Sequence, residues 1–221
     1  MATAVKICGI TSIADAELAV ECGASAIGLN FWPGSARCVD VTTARSIVDA
    51  VGERILVVGV FVDATLETLR DAKRETGIAC LQLHGDEPPE LLEPFLPHAY
   101  KALRVRGPGI AEEAEKYGGR HILLDAYSSG SPGGTGTTFD WELASLIARR
   151  RKLTLAGGLT AENVGQAIER VHPYCVDVAS GVEYVRAPDA PGSERTPRLA
   201  KDPARVRAFI AAVRASSSRG D

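Results

Sequence analysis

Val5-Lys6-Ile7-Cys8-Gly9-Ile10-Thr11 is the stretch on which the fold turns. Val5–Ile7 reads as a short strand, and the turn after it separates two parallel-sheet architectures. An open, doubly wound sheet that binds a dinucleotide carries a G-x-G-x-x-G turn after its first strand. Cys8-Gly9-Ile10-Thr11 stands in that place here. The first turn is therefore not a nucleotide turn, and a closed barrel is favoured.

Seven more strand-like runs come later in the chain: Ala26–Leu29, Ile55–Phe61, Cys80–Leu83, Ala99–Arg104, His121–Leu124, Leu153–Ala156 and Val176–Ala179. Most are apolar on both faces, as suits strands covered on both sides in a parallel sheet. Amphipathic segments lie between them. Ile13–Glu21 follows the cap Ser12, Thr42–Val51 stops at Gly52, and Leu66–Glu75 stops before Gly77. Ala161–Arg170 follows Thr160, and Arg205–Ala215 has Asp202 as cap and Pro203 at its first position. Weaker helical patterns cover Glu90–Phe95, Ala111–Tyr117 and Trp141–Arg150. Eight strand–helix repeats, each of about 25–30 residues, call for a parallel sheet with helices outside it. The expected fold class is α/β: one compact (β/α)8 TIM barrel over 1–215, with a flexible polar tail over 216–221.

The chain has 221 residues, 45% of them hydrophobic and 24% charged, and that balance marks a globular protein rather than a disordered one. Its formal net charge of −3 gives no electrostatic grip on nucleic acid or an anionic membrane. The basic run Arg149-Arg150-Arg151-Lys152 reads as a solvated helix end that offsets the helix dipole. The longest apolar run, Ile55–Val62, is far shorter than the ~20 residues a spanning helix needs, and no secretory hydrophobic segment comes after Met1. Five cysteines (Cys8, Cys22, Cys38, Cys80 and Cys175) include no C-x-x-C pair. A reduced, cytoplasmic setting is the simplest account.

Barrel enzymes carry their chemistry at strand C-termini and on the loops after them. Gly157-Gly158 and Ser180-Gly181 come after the seventh and eighth strands, where barrels hold phosphate on backbone N–H groups. A phosphate-bearing substrate is the reading, with ordinary turn chemistry as the alternative. Asp125 closes the apolar run Ile122-Leu123-Leu124, a costly place for a carboxylate unless it is solvated or in use; a helix cap or structural ion pair is the bland account. Cys8 taken alone is more often a small buried hydrophobe than a catalyst. Arg37 suits a substrate carboxylate with its planar fork, or a surface salt bridge. His84 suits an acid, a base, a stacking partner or a structural role. His98, His121 and His172 fall at loop or strand starts, the wrong face, and read as structural. Ser131–Thr137 lacks the Gly-Lys-Ser/Thr ending of a Walker loop and reads as a loop folding over the site. Tyr184–Ala200 is the second long irregular loop.

These residues together resemble the phosphoribosylanthranilate isomerase family of tryptophan biosynthesis, from about Val5 to Phe209. The motifs are Val-Lys-Ile-Cys-Gly-Ile-Thr from residue 5, Phe-Trp-Pro-Gly-Ser-Ala-Arg from 31, Val-Gly-Val-Phe-Val from 58 and Leu-Gln-Leu-His-Gly-Asp-Glu from 81. Leu-Leu-Asp-Ala from 123, Gly-Gly-Thr-Gly-Thr-Thr-Phe-Asp-Trp from 133, Leu-Ala-Gly-Gly-Leu from 155 and Val-Asp-Val-Ala-Ser-Gly-Val-Glu from 176 complete the series. The resemblance implies that Cys8 is a general base and Asp125 a general acid. It puts Arg37 on the anthranilate side, the phosphate around Gly157, Gly158, Ser180 and Gly181, and His84 and Asp177 at the mouth. The implied reaction is an Amadori rearrangement of an aminoaldose to 1-(o-carboxyphenylamino)-1-deoxyribulose 5-phosphate, with no metal or redox cofactor. The only expected partner is the small phosphorylated substrate, apart from a second copy if the chain is a homodimer rather than a monomer.

A base at Cys8 has to be a thiolate, or close to one, near neutral pH, against an ordinary thiol pKa of about 8.5. Lys6, two residues earlier on the same side of the strand, or the cationic iminium of the substrate is the expected source of that stabilisation. Two departures from the family pattern stand out. Ser35-Ala36-Arg37 replaces Ser-Pro-Arg, and Tyr184–Ala200, with Arg186, Glu194, Arg195 and Arg198, intervenes before Lys201-Asp202. The second reads as a tolerated surface insertion. Rival barrel enzymes fit less well. A ribulose-phosphate epimerase wants several metal-ligating strand ends, and only His84 is so placed. An indole-glycerol-phosphate synthase wants catalytic lysines, for which Lys6 and Lys101 are candidates, but Cys8-Gly9-Ile10-Thr11 fits it badly. A non-catalytic phosphate-ligand sensor predicts loss of Cys8 or Asp125, and both are present.

Overall fold

The computed structural model describes residues 2–105, 107, 109–126, 141–186 and 198–217. Eight parallel strands close into a barrel: β1 (Ala4–Cys8), β2 (Ala26–Asn30), β3 (Leu56–Phe61), β4 (Cys80–Leu83), β5 (Ala99–Arg104), β6 (His121–Asp125), β7 (Lys152–Ala156) and β8 (Cys175–Val178). Each strand pairs with its neighbours in sequence, and β8 pairs back onto β1, with Lys6 opposite Asp177 at the seam. The expected barrel is thus observed, with strand limits within about two residues of the sequence reading.

The outer layer consists of α1 (Ile13–Cys22), α2 (Val41–Val51), α3 (Leu66–Thr76), α4 (Pro89–Leu92), α5 (Ile110–Glu115), α6 (Trp141–Arg150), α7 (Val164–Val171) and α8 (Pro203–Ser217). The expected caps hold. Ser12 Oγ accepts from the Asp15 N–H at 3.1 Å, and Asp202 Oδ1 accepts from the Ala204 N–H at 2.8 Å. The seventh helix differs from expectation. Asn163 rather than Thr160 stands at its cap, because Asn163 Oδ1 accepts from the Thr160 N–H and holds that stretch as a turn. Helix α8 continues through Ser216, whose hydroxyl donates back to the Ala212 carbonyl at 3.0 Å, so the helix takes in the start of the expected tail. Residues 218–221 lie outside the described residues, as does Ser131–Thr137.

Tyr184–Ala200 is not one irregular loop. It opens and closes as an antiparallel ribbon of β9 (Glu183–Arg186) and β10 (Arg198–Lys201), with Lys201 opposite Glu183. Its middle, which includes Glu194 and Arg195, is outside the described residues.

Strand alternation divides the core in two. Val5, Ile7, Ile27 and Leu29 pack outward against the helices, whereas Ala26, Val58, Cys80, Tyr100, Ala102, Leu123 and Ala156 fill the inside. The inner set is rich in alanine. That leaves volume for buried polar side chains: Lys6, Gln82 and Thr154 are all at most 2% exposed. All five cysteines are free thiols. Among the described residues, no helix is long and apolar enough to cross a membrane.

Candidate active site

The alternation that turns Val5 and Ile7 outward turns Lys6 and Cys8 inward. Lys6 Nζ donates to Asp177 Oδ2 at 2.8 Å, joining the first and last strands through a buried ion pair. Gly28 of β2 stands in register with Cys8. A Cβ there would come within 2.7 Å of Cys8 Sγ and 3.0 Å of Lys6 Nζ. The missing side chain is what lets thiol and ammonium share this space. Nothing in the sequence distinguished Gly28 from other strand glycines, since its constraint comes from the pairing register.

Burial pushes the Cys8 thiol up from its ordinary value; Lys6 and Lys201 pull it down, while Asp177 pushes it further up. The upward causes win. Lys6 therefore acts in the expected direction without reaching the expected result. Its own pKa is raised well above the usual lysine value: burial opposes the charge, but Asp177, Cys8 and Tyr100 together outweigh burial. A lysine so firmly paired lends only part of its field to the thiol. A Lys6→Met variant leaves Asp177 uncompensated beside Cys8 and is expected to raise the thiol pKa further. The pH dependence of iodoacetamide labelling on the Cys8 peptide measures this; an unchanged pKa removes Lys6 from the account. Asp177 has a second feature. Among the described residues its Oδ1 is buried and accepts no hydrogen bond.

A second polar chain runs from the barrel interior to the end of β6. The Tyr100 hydroxyl donates to Gln82 Oε1 at 2.9 Å, and Gln82 Nε2 lies 3.1 Å from His84 Nδ1. The tyrosine fixes the amide, so the amide N–H₂ faces the imidazole and makes Nδ1 its acceptor. A neutral His84 then carries its proton on Nε2, which lies 3.3 Å from Asp125 Oδ2. Both side chains are about one-fifth exposed (20% and 21%), at the boundary between core and solvent. Gln82 and Tyr100 were not among the expected site residues; both read simply as strand residues until their contacts are known.

Arg37 ties the loop after β2 across the end of β1 to Glu183, beyond the end of β8. Its Nε and Nη2 donate side-on to the two oxygens of Glu183, at 2.7 and 2.5 Å. Its aliphatic stem crosses Gly9, where φ is +76° and a Cβ would collide with Arg37 Cδ. The glycine of the opening motif is explained by that crossing. Lys201 Nζ, in turn, donates to Glu183 Oε1 and to the Cys8 carbonyl, each at 2.6 Å. The Glu183 contact raises the Arg37 pKa, and burial lowers that of Lys201.

The glycine turns lie together after β7 and β8. Gly157 and Gly158 have φ of +98° and +64°. A Cβ on Gly181 would collide with the Leu159 carbonyl oxygen, so the Ser180-Gly181 turn sits directly against the β7 turn. Lys101, a candidate for lysine chemistry, is otherwise engaged. It pairs with Glu87 at 3.0 Å and donates to the carbonyls of Leu83, Gly85 and Ala102. His121 stacks on Tyr100 and meets the Thr154 hydroxyl at 2.6 Å; burial lowers its pKa to about 4, which fits a structural residue.

Cys8, Arg37 and Asp177 thus share one network with Lys6, Glu183 and Lys201, His84 and Asp125 form a pair, and the glycine turns lie side by side. Residues 5–186 match the family described as N-(5'phosphoribosyl)anthranilate (PRA) isomerase. A curated N-(5'-phosphoribosyl)anthranilate isomerase from Pseudomonas fluorescens (strain SBW25) is 46% identical, with 96% of each chain covered. The crystal structure of the phosphoribosyl anthranilate isomerase from Thermotoga maritima is 38% identical at a TM-score of 0.81, covering 96% of this chain and 99% of that one. A phosphoribosyl anthranilate isomerase solved in complex with reduced 1-(o-carboxyphenylamino)-1-deoxyribulose 5-phosphate is 36% identical at a TM-score of 0.79, with 96% and 99% covered. Barrel order, inward cysteine, mouth aspartate and near-complete alignment agree: this chain belongs to the phosphoribosylanthranilate isomerase family.

Proposed function

We propose that this isomerase acts on N-(5'-phosphoribosyl)anthranilate with Cys8 as general base and Asp125 as general acid. The observation that carries the assignment is their placement at the C-terminal ends of β1 and β6, three steps apart around a closed barrel (β6, β7, β8, β1), so that they flank the mouth from different sides.

The protonated Asp125 carboxyl gives its proton to the furanose ring oxygen. The C1′–oxygen bond breaks as the nitrogen lone pair forms the C1′ iminium. Cys8 as thiolate then takes the C2′ proton, and the released electron pair forms the C1′=C2′ bond and returns the lone pair to nitrogen. The enolamine tautomerises to the C2′ ketone as C1′ gains a proton. The iminium adds the positive charge that Lys6, paired with Asp177, does not supply in full. Once it forms beside Cys8 it favours the thiolate, at the moment the base is needed.

The remaining residues hold the substrate. The Gly157-Gly158 and Ser180-Gly181 turns offer backbone N–H groups to the phosphate. The end of the Arg37 fork meets the anthranilate carboxylate. Asp177 Oδ1, buried with no donor among the described residues, suits a sugar hydroxyl. His84, with its Nε2 proton toward Asp125, orients the acid. Holding both ends fixes the reacting carbon between base and acid. The wild-type chain is expected to consume phosphoribosylanthranilate with loss of anthranilate-type fluorescence; a folded chain that leaves the fluorescence unchanged would overturn the assignment.

A further inference from the structure

We propose that Glu183 and Lys201 are positioning residues: Glu183 fixes the Arg37 guanidinium across Gly9, and Lys201 ties that carboxylate to the Cys8 carbonyl. The clamp for the substrate carboxylate and the strand end bearing the base are thereby set by one side-chain network. This rests on the reading of Arg37 as carboxylate clamp and Cys8 as base.

The contacts are directional. Glu183 takes the side of the fork, Nε and Nη2, and leaves the end, Nη1 with the second Nη2 hydrogen, for an incoming carboxylate. Exposure falls inward along the chain of contacts: the Arg37 side chain is 26% exposed, Glu183 5% and Lys201 1%. The accessible member is thus anchored on two that cannot move without breaking buried charge-assisted bonds. Lys201 also reaches the Ala179 carbonyl at 3.3 Å, so β1, the end of β8 and the arginine loop are joined.

The charges explain why a lysine accompanies the glutamate. Glu183 alone would neutralise Arg37 and weaken its hold on a carboxylate. With Lys201 sharing Oε1, the three groups carry one net positive charge. The same pair forms the rung at which β9 and β10 begin and end, so the inserted ribbon grows outward from the clamp and leaves it intact.

A double-mutant cycle on Arg37→Ala and Glu183→Gln tests this, with kcat and KM measured on phosphoribosylanthranilate and melting curves as a check on folding. Each single variant is expected to raise KM about tenfold or more with kcat changed far less, and the double variant to be no worse than Arg37→Ala alone. A Glu183→Gln/Lys201→Met variant removes both buried charges together. It supplies the same KM readout if Glu183→Gln alone, with Lys201 left unpaired, does not fold. Two results overturn the proposal while sparing the Arg37 reading: a wild-type KM in Glu183→Gln (or, if that variant does not fold, in Glu183→Gln/Lys201→Met) beside a raised KM in Arg37→Ala, or fully additive effects in the cycle. A wild-type KM in Arg37→Ala removes the clamp reading itself, and the proposal with it.

Discussion

Replacing Cys8 by serine is expected to lower kcat on phosphoribosylanthranilate by roughly 10³-fold, within the ~10²–10⁴ that one positioned proton transfer supplies, with KM and melting temperature near wild type. Serine keeps the shape and removes an ionisable group. The space argues against a packing explanation for such a loss. Cys8 Sγ fits against Gly28, and an oxygen in place of sulfur makes that contact looser rather than tighter. A 10³-fold loss corresponds to about 4 kcal/mol of barrier, more than the loss of a small packing contact explains. The pH dependence separates the two accounts further. Burial holds the free thiol above its ordinary pKa, so kcat/KM, which reports the free enzyme, is expected to rise with pH toward that high value. In the complex the iminium favours the thiolate, so the rising limb of kcat is expected at lower pH than that of kcat/KM. The limb is expected to vanish in Cys8→Ser. A fully active serine variant would end the assignment of the base.

Asp125→Asn is expected to produce a loss of similar size, roughly 10²–10⁴-fold in kcat, for a different reason. The amide has the shape of the carboxyl and its oxygen still accepts from His84 Nε2, which lies 3.3 Å from Asp125 Oδ2 in the parent. It has no acidic proton to give to the ring oxygen. Ring opening then has to rely on water, while substrate binding through the phosphate turns and Arg37 is untouched. A raised KM with unchanged kcat would instead mark Asp125 as a binding residue, and full activity would remove it from the chemistry.

The barrel was legible because its strands are apolar on both faces, a pattern that belongs to strands covered on both sides. The caps at Ser12 and Asp202 were legible because capping is a local interaction. The partners of the site residues were not. Lys6 finds Asp177 171 residues away, Arg37 finds Glu183 at a separation of 146, and Lys201 finds the Cys8 carbonyl at 193. Such contacts depend on strand register and loop path, which residue type does not encode. Lys201 read only as the residue before the cap Asp202, and it is among the most deeply buried charges of the described residues. The α7 start was misplaced for a related reason: Thr160 and Asn163 are both good caps, and their own hydrogen bond decides between them.

The barrel's seam gives the enzyme an order of assembly. Cys8 is made before the rest of the barrel, and the strand that carries Asp177 and the ribbon end that carries Lys201 are made after the other seven strands. A ribosome that has delivered β1 through β7 has produced the proposed base and acid without the full surroundings of the base. The electrostatic setting of Cys8, begun by Lys6 on its own strand, is completed only when β8 docks on β1 and Lys201 reaches the Cys8 carbonyl. Catalytic activity in a nascent or truncated chain would then report that synthesis has passed Lys201, and a chain terminated before β8 would be inert despite containing both proposed proton-transfer groups.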